Sequence, residues 1–216
     1  MMGIAMPSKT ETKDSLTRHD RRRLRTRDAL VQAALKVMAE KGLEGATINE
    51  ITDAADVGNG SFYNHFTSKE DIMEAVAFQI LNQLGDSIDA AIEGIEDPAE
   101  ATILALRQAF TFSINDPDFG WFVLKNGVSS DLIDQSLEQR VSRDISAGVD
   151  AGRFKVRNVD AAVLSLHGVM NAVTAAVLRG RQPPSAIEEA ITQVLILLGL
   201  PEKEAVALTA RTKTDT

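Results

Sequence analysis

Residues 47–66 read Thr-Ile-Asn-Glu-Ile-Thr-Asp-Ala-Ala-Asp-Val-Gly-Asn-Gly-Ser-Phe-Tyr-Asn-His-Phe. Thr47 followed by Glu50 three residues later has the form of a capping box, in which a hydroxyl and a carboxylate satisfy free backbone N–H groups at a helix start. The spacing predicts a short helix through Ile51 and Ala54, a break at Asp56-Val57-Gly58, and a second helix from Asn59 to Phe66, which is a helix-turn-helix pattern. Phe62 and Phe66, at i and i+4, share one face and are expected to pack on Ile51, Ala54 and the preceding helix. The opposite face holds Gly60 and Asn64, flanked by Ser61 and Tyr63, with Asn59 and His65 at its ends. It offers hydroxyls, amides and an imidazole with no acid to repel phosphate, the chemistry a helix in a major groove needs. Gly60 lets the backbone approach a partner closely.

Working outward, apolar residues recur at helical spacing almost everywhere, and no stretch sustains strand-like alternation. The expected fold is all-α. A first helix runs from about Asp20, with Leu30, Ala33, Ala34, Val37 and Met38 on one face, to a left-handed cap at Lys41-Gly42. Ser68 opens a helix with Glu70 and Asp71 in its first turn, and Asp97-Pro98 and Asp116-Pro117 each place an N-cap acid before a proline. Ser130-Asp131 begins a helix ending at Ala151-Gly152, Asn158 another ending near Gly180, and Ser185 to Glu188 has the form of a second capping box. Gly199 and Pro201 close that last long helix. The expected count is nine helices, with room for a short tenth after Pro201.

Charge is divided unevenly. The chain carries a net −8, yet residues 1–73 hold eleven Lys/Arg against eleven Asp/Glu, so residues 74–216 carry the whole excess. Arg18, Arg21, Arg22, Arg23, Arg25 and Arg27 crowd together against Asp20 alone, a basic arm beside the helix-turn-helix that suits phosphate contact. With no cysteine in the chain, thiolate chemistry and Cys-containing metal sites are excluded. No secretory h-region stands in residues 1–15, and the expected compartment is the cytoplasm. His19, His65 and His167 are too scattered to suggest a metal cluster, and no cofactor is expected. Gly58-x-Gly60 lacks the third glycine and the preceding strand of a dinucleotide fingerprint.

The run Leu30 to Lys69 resembles the DNA-binding domain of the TetR-type transcription regulators. The resemblance is carried by Gly42, Thr47, Ile51, Ala54, Ala55, Val57, the run Gly58 to Phe66, and Ser68-Lys69-Glu70. It implies that Thr47 bonds a phosphate, that Asn49, Asn59, Gly60 and Ser61 face bases, that Tyr63 and His65 grip the backbone, and that Lys69 clamps a phosphate. Asn64 and Arg25 join the expected DNA-binding set. Many family members carry Lys or Arg where Asn59 or Asn49 stands here, which implies fewer charged base contacts.

The expected organisation is a disordered arm at 1–17, a helix-turn-helix DNA-binding domain at 18–67, a ligand-binding and dimerisation domain at 68–210, and a disordered tail at 211–216. Ala161 to Leu178 is a run of eighteen uncharged residues, long enough for a membrane span. Its Ser165, His167, Asn171 and Thr174, with many Ala and Gly, point instead to burial by protein and to no membrane partner. Together with Ile187, Ile191, Val194, Leu195 and Leu198 of the next helix it is expected to form a homodimer interface through 159–180 and 185–199. Phe78, Phe110, Trp121, Phe122 and Met170, with His167 or Asn171 as an orienting polar group, outline an expected cavity for a largely apolar or aromatic effector. The functional expectation is a ligand-responsive regulator, a repressor on palindromic double-stranded operator DNA, without catalytic residues. The competing readings are a degenerate helix-turn-helix interaction module and a small helical enzyme using His167.

Overall fold

The computed structural model describes residues 17–126 and 137–212, with the side chains of 118, 122, 123, 125 and 126 excepted. Among these residues there are ten helices: α1 Arg18–Gly45, α2 Ile48–Ala54, α3 Asn59–Phe62, α4 Lys69–Ile92, α5 Pro98–Asn115, α6 Pro117–Asn126, α7 Gln139–Asp150, α8 Val159–Leu178, α9 Ala186–Leu197 and α10 Glu202–Arg211. The helix start expected at Ser130-Asp131, the Phe122 side chain and all but the edges of the two expected disordered ends lie outside the described residues.

Local chemistry sets most boundaries. α1 starts at Arg18 rather than near Asp20, because Thr17 and Asp20 cap each other, with N–H to oxygen distances of 3.1 and 3.2 Å. Gly42, at φ 76°, interrupts the helix where the sequence placed its left-handed cap, and one further turn follows to Gly45. Ser68, Asp97 and Asn158 each accept a backbone N–H at the start of α4, α5 and α8, and Asp116 accepts from the Phe119 N–H at 3.0 Å. The second capping box does not form. Ser185 is itself helical at φ −62° and makes no cap bond, because the turn at Pro183-Pro184 takes the first N–H groups of α9 on its own carbonyls. Glu188, free of that duty, pairs with Arg107 of α5 at 2.8 Å.

Three apolar clusters form among the described residues: one in the head, one in the body, and a small one that joins Ala77 and Leu81 of α4 to Phe119 of α6. The head cluster joins Leu30, Ala34, Val37 and Met38 of α1 to Ile51 of α2, Phe62 of α3, Phe66, and Ile72 and Val76 of α4. Phe62 and Phe66 are 0% and 1% exposed with ring centroids 5.7 Å apart, so the expected stripe is the anchor of α3. Ala54 is exposed and takes no part. Ala55, one residue on and four after Ile51, packs there instead, because i and i+4 share a helix face. The body cluster draws on α5, α7, α8, α9 and α10, with Phe110, Ile191, Val194, Leu195 and Leu198 all fully buried.

This corrects the residues expected to carry the interface on the second helix. Ile187, Ile191, Val194, Leu195 and Leu198 of α9 are covered by the chain's own α5, α8 and α10, since a helix so broadly apolar is drawn into the nearest core. α8 differs. It alone among the described helices is long and apolar enough to cross a membrane by length and composition, and only 22% of that window is buried within the chain. Ala162, Val163, Leu166 and Thr174 face inward, whereas Leu164 is 72% exposed.

Candidate functional site

The head presents α3 outward. Tyr63 is 61% exposed, its ring edge-on to Phe62 at 5.3 Å, so the buried phenylalanine fixes the direction in which the phenol points. Asn64 is exposed beside it, and Ser61 half-buried. Gly60 is exposed, with nothing among the described residues within 4 Å of a would-be Cβ. The left-handed residue of the turn is Asp56, at φ 53°, and Gly58 is extended at φ −71°. α3 itself ends at Phe62, four residues earlier than expected, although the N–H groups of His65 and Phe66 still bond the Phe62 carbonyl at 2.9 Å.

Several expected DNA-binding side chains already have partners. Asn59 donates its amide to Asn49 Oδ1 at 2.9 Å and accepts from the Thr52 hydroxyl at 2.6 Å, a chain that ties α3 to α2. Thr52 was not anticipated, because its partner lies seven residues away across the turn. Thr47 caps α2: its hydroxyl accepts the Glu50 N–H at 3.3 Å and donates to Glu50 Oε2 at 2.9 Å. Bonds from Lys41 and Thr47 hold the Glu50 carboxyl below its usual range. Lys69 Nζ donates to the Glu44 carbonyl at 2.9 Å, bracing the end of α1. Arg25 and Asn49 are exposed.

α1 reaches this face as well. The Arg27 guanidinium lies 5.0 Å from the Phe66 ring centroid. His65 is half-buried, and its imidazole is held below its ordinary pKa first by burial and then by the positive charges of Arg23 and Arg27. The i, i+4 spacing of Arg23 and Arg27 was visible in the sequence; their meeting with His65 was not.

The body encloses a cavity of about 630 Å³ between α4, α5, α6, α7 and α8. His167, Met170 and Asn171 line it, as expected. Phe110 does not, being fully buried in the body cluster, and Trp121 lies off the wall under the Arg179 guanidinium, 5.0 Å from its ring. Phe78 is half-buried outside the lining. The aromatic wall is instead Phe112 and Phe119, edge to face at 5.3 Å.

One polar wall was missed. Arg140 of α7 bonds Asp86 of α4 at 2.6 Å and also Asp89, and Arg143 bonds Asp89 and Asp144 at 2.8 Å each. Arg140, Asp89 and Asp144 line the cavity. A Cβ on Gly85 would stand 2.8 Å from Arg140 Nε, so only glycine lets the guanidinium lie against α4 there. The bond to Asp86 leads in holding the Arg140 guanidinium above its usual pKa. The i, i+3 pairs Asp86/Asp89 and Arg140/Arg143 were the available sequence signal.

This architecture, a short helix pair presenting a polar face and a helical body around a cavity, matches two family descriptions. Residues 30–76 match "Bacterial regulatory proteins, tetR family", and residues 97–211 match "Tetracyclin repressor-like, C-terminal domain". The chain belongs to the TetR family. Among solved structures it is similar to RolR in complex with the ligand resorcinol, 29% identical over 88% of this chain and 96% of that one, with a TM-score of 0.78. Among curated proteins it is similar to the uncharacterized HTH-type transcriptional regulator YvdT of Bacillus subtilis (strain 168), 37% identical over 32% of this chain. It also resembles the HTH-type transcriptional repressor DhaR of Mycobacterium sp. (strain GP1), 37% identical over 43% of this chain. These two matches span 36% and 45% of the curated relatives' own lengths.

Proposed function

We propose that the protein is a DNA-binding transcriptional repressor, active as a homodimer on a palindromic operator and released by a small effector bound in the body cavity. The observation that carries this reading is the double membership of α4. Its first turns place Ile72 and Val76 in the head cluster, and its later turns place Leu81, Leu84, Gly85 and Asp89 on the cavity wall. A rigid helix shared by both sites lets an effector bias the head, provided it binds the two states with different affinity. Tyr63, Asn64, Ser61, Gly60 and Arg25 are the outward contacts to DNA, His65 with Arg23 and Arg27 a phosphate grip, and the Asn49-Asn59 pair a preset base-reading unit. Thr47 and Lys69 would meet phosphates from positions that also cap and brace the head. The role needs no catalytic residue, and it places the protein in the cytoplasm with the DNA.

The cavity chemistry favours a small, neutral, mainly apolar effector carrying hydroxyl groups. Arg140 and Arg143 face Asp86, Asp89 and Asp144, so the polar wall has no surplus positive charge for an anion, while its carboxylates can accept from a hydroxyl. RolR, described in complex with resorcinol, supports a phenol of this kind. The test is selection of bound sequences from random duplex DNA, repeated with phenols added. An enriched inverted repeat lost on adding a phenol is the expected result; enrichment of no inverted repeat would overturn the regulator reading.

A further inference from the structure

The two short helices of the head carry a relay of three side chains, and its bond lengths give it a direction. Thr52 is 1% exposed, and its hydroxyl stands 2.6 Å from Asn59 Oδ1 and 2.9 Å from the Asn49 backbone carbonyl. A hydroxyl has one proton to donate, and the shorter contact claims it. That contact has the length of an O–H···O bond and is too short for an N–H···O bond. Asn59 therefore turns its oxygen, and not its nitrogen, toward Thr52. Its nitrogen then lies 2.9 Å from Asn49 Oδ1, an ordinary N–H···O length, so Asn49 also faces its oxygen along the relay.

The consequence is a polarity. Both side-chain oxygens accept from donors inside the head, and what the exposed pair turns to solvent is N–H: both hydrogens of the Asn49 nitrogen and the second of Asn59. An asparagine that reads adenine presents its oxygen to N6–H and its nitrogen to N7 together. Neither asparagine here has its oxygen turned out for that. Guanine shows two adjacent acceptors in the major groove, N7 and O6.

We infer that the relay makes Asn49 and Asn59 a donor-only reader that selects guanine in the major groove, with Thr52 as the positioning residue that sets its direction. The inference rests on the DNA-binding reading and adds to it the base that the pair takes. Thr52 is buried and does not meet DNA, yet it decides which end of each amide does. Without its hydroxyl the Asn59 amide can turn over, an oxygen comes outward, and the pair can accept from adenine as well.

The experiment uses the full chain and duplexes selected from a random pool. The position read by the pair is the one at which Asn49→Ala flattens the base preference. There the wild type should favour guanine over adenine by roughly tenfold, and a guanine analogue with carbon in place of N7 should weaken binding by a similar factor. Thr52→Val, of nearly the same shape, should bring the guanine-to-adenine ratio down to about threefold or less, whereas Thr52→Ser, which keeps the hydroxyl, should retain it. A purely structural role would lower affinity for every sequence alike, so weaker binding by Thr52→Val with an unchanged ratio overturns the positioning role. A wild type that prefers adenine at that position, or is indifferent to the loss of N7, overturns the donor-only reader, and this arm decides the matter if Thr52→Val does not fold. An enriched inverted repeat with no position sensitive to Asn49→Ala sinks the base-reading pair, and with it the inference, while DNA binding stands. Enrichment of no repeat at all sinks the DNA-binding reading beneath both.

Discussion

Head and body place their polar groups in opposite ways. In the head they point outward from a small apolar cluster, and the bonds within the helix-turn-helix are short in sequence: Thr47 to Glu50 spans three residues, Thr52 to Asn59 seven, Asn59 to Asn49 ten. In the body the ion pairs cross the fold: Arg140 to Asp86 spans 54 residues, Arg153 to Asp97 56, Arg107 to Glu188 81, and Arg140, Asp89 and Asp144 stand on the cavity wall. A reading face must meet a partner that arrives from solvent, so it needs only a firm backing. A cavity must keep polar groups satisfied away from water, so each needs a partner on another helix. The head is therefore a surface held by its floor, the body a container held by its walls.

The strongest way to break this contrast is to remove the floor. Phe62→Ala deletes a fully buried ring from the cluster it shares with Leu30, Ile51, Phe66 and Ile72, at an expected cost of about 3–5 kcal/mol. The head should unfold at a lower temperature than the body, with operator binding lost while Trp121 fluorescence, which reports the body, melts as in the wild type. A single coincident transition shifted as a whole would show that head and body are one cooperative unit.

A smaller effect is expected from the wall. Arg140→Met leaves the Asp86 and Asp89 carboxylates without one of their guanidinium partners and removes a polar group from the cavity. Effector affinity, measured by calorimetry with a phenol, should fall by roughly tenfold, as expected for loss of charge-assisted bonds worth about 1.5 kcal/mol or more. Unchanged affinity would mean that the polar wall serves only to join α4 to α7.

The finest probe is protonation of His65. Its pKa is depressed in the free protein, so the neutral form is favoured by folding. That contribution to stability is present above the unfolded value of about 6.5 and is lost as pH falls from there through the lower folded value. Burial leads in holding the value down and the positive charges of Arg23 and Arg27 follow; a DNA phosphate beside the two arginines offsets that second part, so operator binding takes up a proton. Operator affinity at fixed salt should rise a few-fold between about pH 8 and about pH 6, and His65→Gln should remove that part of the slope. An identical slope in the variant would assign the pH dependence to other groups.

Legibility in the sequence followed the range of the interaction. The capping box at Thr47-Glu50, the Ser68 and Asp97 caps and the Phe62/Phe66 stripe all involve residues within four positions, where helix geometry alone decides the neighbours. The Ser185 box had the same signature and failed, because the Pro183-Pro184 turn preceding it had already claimed the free N–H groups. Phe110, Trp121 and Phe78 were named for the cavity because they are aromatic, but residue type says nothing about which side of α5, α6 or α4 faces the void. Phe112, two residues from Phe110 on α5, lines it instead.

By itself the sequence determined an all-helical chain, the places where most helices begin and end, and a polar face opposed to a phenylalanine stripe on 59–66. Those features rest on hydrogen bonds and side-chain periodicities that close within one or two helical turns. Only the tertiary structure decided that α9 is buried while α8 keeps a bare side, that Arg23 and Arg27 flank His65, and that Arg140 lies on Gly85 between Asp86 and Asp89. Those outcomes depend on how helices far apart in the chain cross. That crossing is set by the summed fit of many small apolar contacts, which no local pattern of residues encodes.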